Sequence, residues 1–171
     1  VEAGASVLVI GAGGVGLNVI QGCAIAGAGT IIAVDMADHK LDLARQFGAT
    51  HVINAGRDEN LVKSVKKLTG SGVDYAFECI GLKQTAEQSF ACLRPGGAAT
   101  IIGMIPAGTK IELHGFDFLR EKHFVTPLSA QQVEELRQHV QSVNCSNCGA
   151  PVSVAFDAAC GHCGSPLSML D

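Results

Sequence analysis

The sequence contains no tryptophan and a single tyrosine, and aromatic residues make up only 5% of its 171 residues. Charged residues account for 16%, and the net charge is −4. A chain without excess positive charge cannot neutralise a phosphate backbone, so we expect no nucleic-acid partner. No apolar run approaches the roughly 18 residues that span a bilayer, so we expect no membrane partner. The first residues also lack the basic segment of a signal peptide, and we therefore expect a cytoplasmic chain.

Short apolar segments alternate with helical patterns over the first 105 or so residues. We predict strands at residues 6–10, 30–34, 51–54, 73–79 and 98–102, with a turn at residues 94–97 and a helix in each of the first four intervals. This alternation is typical of an α/β fold with a doubly wound parallel sheet, in an order near 3-2-1-4-5. Ligands of such sheets bind at the carboxyl ends of the strands, beside the first strand.

The alternation of apolar segments and helical patterns stops after residue 111. Phe116, Phe118 and Leu119 predict a segment docked on the domain, and residues 123–126 predict a sixth strand. Ser129 then precedes an amphipathic helix, with Gln132 as its capping-box partner.

A glycine-rich loop follows the first predicted strand. Gly11, Gly13 and Gly16 fit the pattern G-x-G-x-x-G, with Gly14 and Val15 between them. Gly11 permits a tight turn, Gly13 lets a pyrophosphate approach the backbone, and Gly16 lets the helix pack close to the strand. The helix N-terminus adds N–H donors and a partial positive charge. The loop therefore predicts a dinucleotide site.

Asp35 follows the second predicted strand, at about the 20 residues from the loop that the motif requires. A carboxylate there accepts hydrogen bonds from both hydroxyls of an adenosine ribose and repels a 2′-phosphate. Because Met36 and not an arginine follows, we predict NAD in preference to NADP. Methyltransferases that bind S-adenosylmethionine share this layout, but they commonly carry an acidic residue where this chain has Ile10.

Five segments share their order with one known family: residues 7–18 (VLVIGAGGVGLN), 33–35 (AVD), 40–50, 77–81 (FECIG) and 93–97 (LRPGG). Together they resemble the cofactor-binding half of zinc-dependent, medium-chain alcohol dehydrogenases, over roughly residues 1–122. The resemblance implies that Val15 backs the nicotinamide ring and that Asp35 and Lys40 hold the adenosine ribose. It also implies that the cofactor groove is lined by Ile80, Gly81, Ile102 and Met104.

The resemblance further implies hydride transfer between NAD and an alcohol or aldehyde bound to a catalytic zinc, which acts as a Lewis acid. In that family the zinc ligands come mostly from a separate lobe that precedes this domain, and its Cys and Gly-His-Glu ligands are not found here. We therefore expect an NAD(H)-binding domain whose catalytic lobe is missing from this chain, and we assign no catalytic residue. Three alternatives remain open: a non-catalytic NAD(H)-binding module that docks a protein partner, a truncated product without function of its own, and a homo-oligomer.

Four cysteines near the end of the chain form two Cys-x-x-Cys pairs, each followed by glycine: Cys145, Cys148, Cys160 and Cys163. Two such pairs converge on one tetrahedral ion, and four thiolates leave no open coordination position. We therefore predict a structural zinc in a zinc ribbon, with rubredoxin-like iron and two disulfides as alternatives. The predicted division is a Rossmann NAD-binding domain at residues 1–127, a linker helix at 128–143 and the zinc ribbon at 144–171.

The remaining cysteines, Cys23, Cys79 and Cys92, are predicted to be small buried hydrophobic residues, with Cys79 facing the cofactor edge. Glu78 is predicted to lie near the end of the sheet, as a polar support and not as a general base.

Overall fold

A computed structural model describes residues 1–125, 143–144, 148, 151–152 and 162–163. The chain divides into two compact units, Val1–Pro127 and Leu128–Asp171. The strands of the first unit are β1 (Ser6–Ile10), β2 (Thr30–Asp35), β3 (His51–Asn54), β4 (Val73–Glu78), β5 (Leu93–Ile101) and β6 (His123–Val125). Its helices are α1 (Gly14–Ile25), α2 (Asp38–Gln46), α3 (Leu61–Thr69), α4 (Lys83–Ala91) and α5 (Gly115–Phe118). Within the described residues, no helix combines the length and apolar character needed to cross a membrane.

The six strands form one parallel sheet in the order β3-β2-β1-β4-β5-β6. The predicted order 3-2-1-4-5 is confirmed, and β6 extends it by one strand. Ile10, the last residue of β1, lies between Val34 of β2 and Glu78 of β4. The strand order reverses between β1 and β4, and this is where a crevice forms at the carboxyl ends of the strands.

The central strand β1 is apolar throughout its buried part because helices cover both faces of the sheet. Successive side chains of a strand point to opposite faces. Leu8 and Ile10 join the cluster that includes residues of α3 and α4, whereas Val7 and Val9 join the cluster that includes residues of α1 and α2. The two clusters hold the helices against the two faces of the sheet.

Residues 94–97, which we predicted as a turn, lie inside β5. Val73 pairs with Leu93 but Tyr75 pairs with Ala98, so β5 carries extra residues here as a bulge. Gly96 adopts a φ of +76°, a value that L side chains rarely adopt. The turn prediction was wrong because proline and glycine suit a bulge as well as a turn, and only the pairing with β4 distinguishes the two.

The segment before β6 contacts the domain through one of its three predicted apolar residues. The ring of Phe118 lies 5.2 Å from that of Phe90, measured between centroids. Phe116 and Leu119 are instead 65% and 79% exposed, so the prediction that they dock on the domain was wrong. The helix α5 has only four residues, and one short turn presents a single side chain to the core.

In the second unit, β7 (Val143–Asn144) pairs antiparallel with β8 (Pro151–Val152). Val143, which we expected at the end of the linker helix, lies in β7 and pairs with Val152. The rest of that predicted helix lies outside the described residues. The segment between the two strands carries the first cysteine pair. Cys148 and Cys163 are exposed, while Cys145 and Cys160 lie outside the described residues. The described part of the chain contains no group of three potential metal ligands, and the zinc site stays a prediction.

Candidate functional site

Two glycines of the loop are required by contacts within the protein itself. Gly11 follows β1 with a φ of +98°, and a Cβ there would lie 2.7 Å from Cγ1 of Ile80. Gly16 lies in the first turn of α1, and a Cβ there would lie 1.7 Å from the carbonyl oxygen of Gly11. No real Cβ tolerates such a distance from a backbone atom. The helix can therefore start beside the end of β1 only with glycine at position 16.

The other two glycines face open space. A Cβ at Gly13 or at Gly14 would meet no protein atom within 4 Å. Gly13 is the N-cap of α1, and no side chain of the described residues caps this helix. Val15 is exposed on the same turn. An uncapped helix N-terminus with open space in front of it is suited to an anion such as a pyrophosphate.

Asp35 is bonded directly to the glycine loop. Its Oδ2 accepts the N–H of Ala12 at 2.9 Å, and its Oδ1 accepts the N–H of Ala37 at 3.0 Å. The ammonium nitrogen of Lys40 lies 3.6 Å from the same Oδ2. A carboxylate offers about four acceptor positions, and these two N–H groups occupy two of them. The predicted ribose carboxylate and the predicted phosphate loop are thus held in one fixed arrangement.

The surroundings of Asp35 keep it ionised. Burial by itself raises the pKa of this carboxyl, but the N–H groups of Ala12 and Ala37 and the charge of Lys40 outweigh that effect and lower the pKa overall. A full negative charge therefore stands at the end of β2 at neutral pH.

The four remaining predicted groove residues lie on the turns that follow β4 and β5. Ile80 and Met104 are exposed, and Ile80 would touch a Cβ at Gly11. Gly81 adopts a φ of +91°, and a Cβ there would lie 2.5 Å from the carbonyl oxygen of Met104. The N–H of Ile102 donates to the carbonyl of Glu78 at 2.8 Å. These turns meet at the carboxyl edge of the sheet, on the β4 side of the glycine loop.

A cavity of about 520 Å³ opens beside Asp35 and Ile80. Its other wall was not predicted from the sequence: the segment before α3 and the helix α4 contribute Asp58, Glu59, Asn60, Gln84, Thr85 and Gln88. Every ionisable residue that lines this cavity is acidic. One signal could have revealed this wall. Asn60 precedes the apolar stripe of α3, and its side chain accepts the N–H of Lys63, which marks a helix that begins at the same sheet edge.

The cysteine that follows β4 is not poised for chemistry. Burial raises the pKa of the Cys79 thiol to about 12, and the neighbouring Glu78 adds to the effect. Burial likewise raises the pKa of Cys92 to about 12. A protonated thiol is a weak nucleophile and a poor metal ligand. Cys23 and Cys92 are buried in the core, as predicted, whereas Cys79 is only partly buried against it.

Comparison with known proteins supports the interpretation of this domain as a dinucleotide-binding domain. Residues 14–144 match the zinc-binding dehydrogenase family. The S-(hydroxymethyl)glutathione dehydrogenase of Paracoccus denitrificans is 41% identical over 126 residues, which cover 70% of this chain and 34% of that protein. An alcohol dehydrogenase zinc-binding domain protein from Burkholderia ambifaria superposes with a TM-score of 0.73 at 36% identity, covering 78% of this chain and 36% of that one.

A zinc-binding dehydrogenase structure from Sinorhizobium meliloti, bound to NADP, superposes with a TM-score of 0.69 at 32% identity and covers 74% of this chain and 38% of that one. The chain therefore spans only 34% to 38% of the length of these relatives. The chain belongs to the zinc-binding dehydrogenase family, of which it carries the NAD-binding domain.

Proposed function

We propose that this chain binds NAD(H) as the cofactor domain of an alcohol-dehydrogenase-type oxidoreductase, which transfers a hydride between NAD and an alcohol or aldehyde. The observation that carries the proposal is the hydrogen bond from the N–H of Ala12 to Oδ2 of Asp35. It joins a carboxylate that suits a ribose to a glycine loop that suits a pyrophosphate, within reach of one dinucleotide.

The residues fit the parts of the cofactor. In the proposal Gly11 and Gly16 shape the loop, and Gly13 and Gly14 leave room for the pyrophosphate. Asp35 and Lys40 hold the adenosine ribose, and the cavity of about 520 Å³ beside them receives the adenine. The rest of the groove consists of Val15, Ile80, Gly81, Ile102 and Met104. When bound, NAD supplies the hydride acceptor, and these residues bind and orient it.

The charges around the ribose favour NAD over NADP. Asp35 is ionised, and the other ionisable residues of the cavity, Asp58 and Glu59, are acidic too. A 2′-phosphate placed here would meet like charges, which cost up to about 4 kcal/mol for a pair 4 Å apart near a protein surface. The positive charge of Lys40 is already paired with Asp35, at 3.6 Å. The NADP in the S. meliloti structure belongs to that protein, and Met36 stands here where a partner for a phosphate would be needed.

The chemical step needs groups beyond the cofactor site. The described residues contain no cluster of ligands for a catalytic zinc. We propose that a catalytic lobe, as in the resembling family, supplies the zinc and the substrate pocket, and that this chain contributes the cofactor. The substrate is decided by residues of that lobe.

Titration of NADH into the 171-residue chain, followed by calorimetry, tests the cofactor proposal. The chain has no tryptophan for energy transfer to the nicotinamide, so heat is the direct signal. We expect one-to-one binding, with NADPH at least tenfold weaker because of the charge on Asp35. Absence of heat at millimolar NADH, or equal affinities for NADH and NADPH, would contradict the proposal.

A second candidate function is a non-catalytic NAD(H)-binding module that docks a protein partner through a zinc ribbon. The pairing of β7 with β8 favours it, because the first cysteine pair lies in the connection of this hairpin. We propose that Cys145, Cys148, Cys160 and Cys163 bind one structural zinc. Such a short segment buries little core and relies on the metal for its folding. Reduced thiols also fit the cytoplasmic location that we propose.

Metal analysis of the purified chain tests the zinc proposal. We expect one zinc per chain, and we expect Cys148→Ala to lose it, whereas Cys23→Ala, in the core of the first unit, should retain it. Iron in place of zinc would indicate the rubredoxin-like alternative. A wild-type chain without metal would show that the cysteine pairs do not form a metal site.

A further inference from the structure

Glu78 is a fully buried carboxylate, with 0% of its surface exposed. Its Oε1 accepts the N–H groups of Ile80 at 2.9 Å and Gly81 at 2.8 Å and the hydroxyl of Thr85 at 2.7 Å. Its Oε2 accepts the N–H of Gly81 at 3.0 Å. Burial of a carboxylate costs several kcal/mol unless its oxygens are satisfied. Here the satisfying donors are neutral groups of the turn and helix that follow β4.

The same residue also holds the turn that follows β5. The carbonyl oxygen of Glu78 accepts the N–H groups of Ile102 at 2.8 Å and Gly103 at 3.0 Å. A Cβ at Gly103 would lie 2.6 Å from Oε2 of Glu78, so the carboxylate is in contact with this second turn as well. Backbone and side chain of one residue thus bond to both turns.

These two turns carry all four groove residues on the β4 side of the site: Ile80, Gly81, Ile102 and Met104. Ile80 in turn reaches the glycine loop, since a Cβ at Gly11 would lie 2.7 Å from its Cγ1. A shift of the Glu78 carboxylate would therefore move one whole wall of the proposed groove. It would also break the contact between Ile80 and the glycine loop.

We propose that Glu78 is a positioning residue for the cofactor: it does not touch NAD(H) but holds the two turns that line the groove at the distance that the dinucleotide needs. This inference rests on the proposed function. It gives the buried carboxylate of Glu78 a role in cofactor binding in addition to general support of the fold. A hydrogen bond to a charged acceptor is stronger than one to a neutral acceptor, and the carboxylate supplies two acceptor oxygens to the turns.

The arrangement predicts that loss of the Glu78 carboxylate affects binding of the nicotinamide half of the cofactor more than binding of the adenosine half. Of the four groove residues, only Ile80 lines the adenosine cavity, whose other walls belong to β2, α3 and α4. In the proposed binding mode AMP occupies that cavity and places its single phosphate at the glycine loop, whereas the nicotinamide half of NADH extends beyond the loop to the turns. Loss of the Glu78 carboxylate should therefore weaken NADH more than AMP. A merely structural role would weaken both alike.

The test compares Glu78→Gln with Glu87→Gln. The first change preserves the size of the side chain but replaces one acceptor oxygen with an NH₂ group and removes the charge. The second makes the same replacement in α4, where Glu87 contacts Lys83 and the N–H of Glu112, outside the groove. We expect Glu78→Gln to weaken NADH about tenfold and AMP less than threefold, since hydrogen bonds to charged groups contribute about tenfold or more to an equilibrium. Glu87→Gln should bind both as the wild type does.

A second readout is independent of affinity. In ¹H–¹⁵N spectra of the chain without nucleotide, the amide signals of Ile80 and Gly81 should shift in Glu78→Gln, because the acceptor of both N–H groups changes. Glu78→Asp serves if Glu78→Gln does not fold. It shortens the side chain by one methylene group and withdraws the carboxylate from the N–H groups of Ile80 and Gly81. It should therefore shift the same two signals and weaken NADH binding more than AMP binding.

The outcomes separate this inference from the proposed function. If the wild-type chain binds no NADH, the proposed function fails, and this inference fails with it. If the wild type binds NADH but Glu78→Gln matches it within twofold, or loses NADH and AMP affinity equally, the cofactor proposal stands and the positioning role of Glu78 is overturned.

Discussion

Replacement of Gly16 with alanine is expected to destabilise the first unit by about 3 kcal/mol or more, at the upper end of what overpacking costs. A Cβ at this position would lie 1.7 Å from the carbonyl oxygen of Gly11 and 2.8 Å from its carbonyl carbon. Both are backbone atoms and cannot rotate away as a side chain would. The helix must therefore separate from β1, and the loop between them loses its shape together with the proposed pyrophosphate site.

Urea unfolding followed by tyrosine fluorescence measures this effect selectively. Tyr75 is the sole tyrosine of the chain and lies in β4, so its signal reports on the first unit. The matched control is Gly22→Ala in the same helix, where a Cβ meets nothing within 4 Å. There alanine should stabilise the unit by up to about 1 kcal/mol through its higher helix propensity. Equal unfolding midpoints for the two variants would show that α1 does not lie as close to β1 as described.

Asp35→Asn is expected to lower the affinity for NADH about ten- to a hundredfold, which is the range for loss of hydrogen bonds to a charged group. Asparagine has the same size, but its NH₂ group cannot accept the N–H of Ala12 or Ala37, nor a ribose hydroxyl. Its neutral side chain also removes the repulsion of a 2′-phosphate. NADPH should therefore lose less affinity than NADH, and the preference for NADH should narrow at least tenfold.

Calorimetric titrations of both nucleotides into Asp35→Asn give the two affinities directly. Asp42→Asn is the matched control, because Asp42 lies on the exposed side of α2 and pairs only with Arg45 in the described contacts. We expect it to bind as the wild type does. An unchanged ratio of the two affinities in Asp35→Asn would show that the charge of Asp35 does not select the cofactor.

The order of the strands and the place of the glycine loop could be predicted because both depend on local patterns. A strand covered on both faces must be apolar, and residues 6–10 and 51–54 match β1 and β3 at both ends. Gly11 and Gly16 are required wherever a strand turns into a closely packed helix. The position of Asp35 beside the loop could be predicted for the same reason, since its distance from the loop follows from the length of one βαβ unit, and its role toward a ribose stays a prediction.

The bulge in β5 and the acidic wall of the cavity depend on pairings between distant segments. The pattern LRPGG is compatible with a turn or a bulge until the register with β4 is known. Asp58, Glu59 and Gln84 lie far from Asp35 in the sequence and meet it only because α3 and α4 begin at the same edge of the sheet. The role of Glu78 has the same origin, since its carboxylate and carbonyl bond to turns on two different strands.

The sequence by itself determined that this protein is a doubly wound α/β domain with a glycine loop after its first strand and a carboxylate at the end of its second, because the spacing of apolar residues and of glycines is a local property. Only the tertiary structure decided that Asp35 is bonded to Ala12, that the ionisable residues lining the cavity beside it are acidic, and that Glu78 bonds to two turns at once. Those features arise where residues of separate segments come close together. The distance between two residues that are remote in the sequence depends on the packing of the whole domain, so neither segment determines it alone.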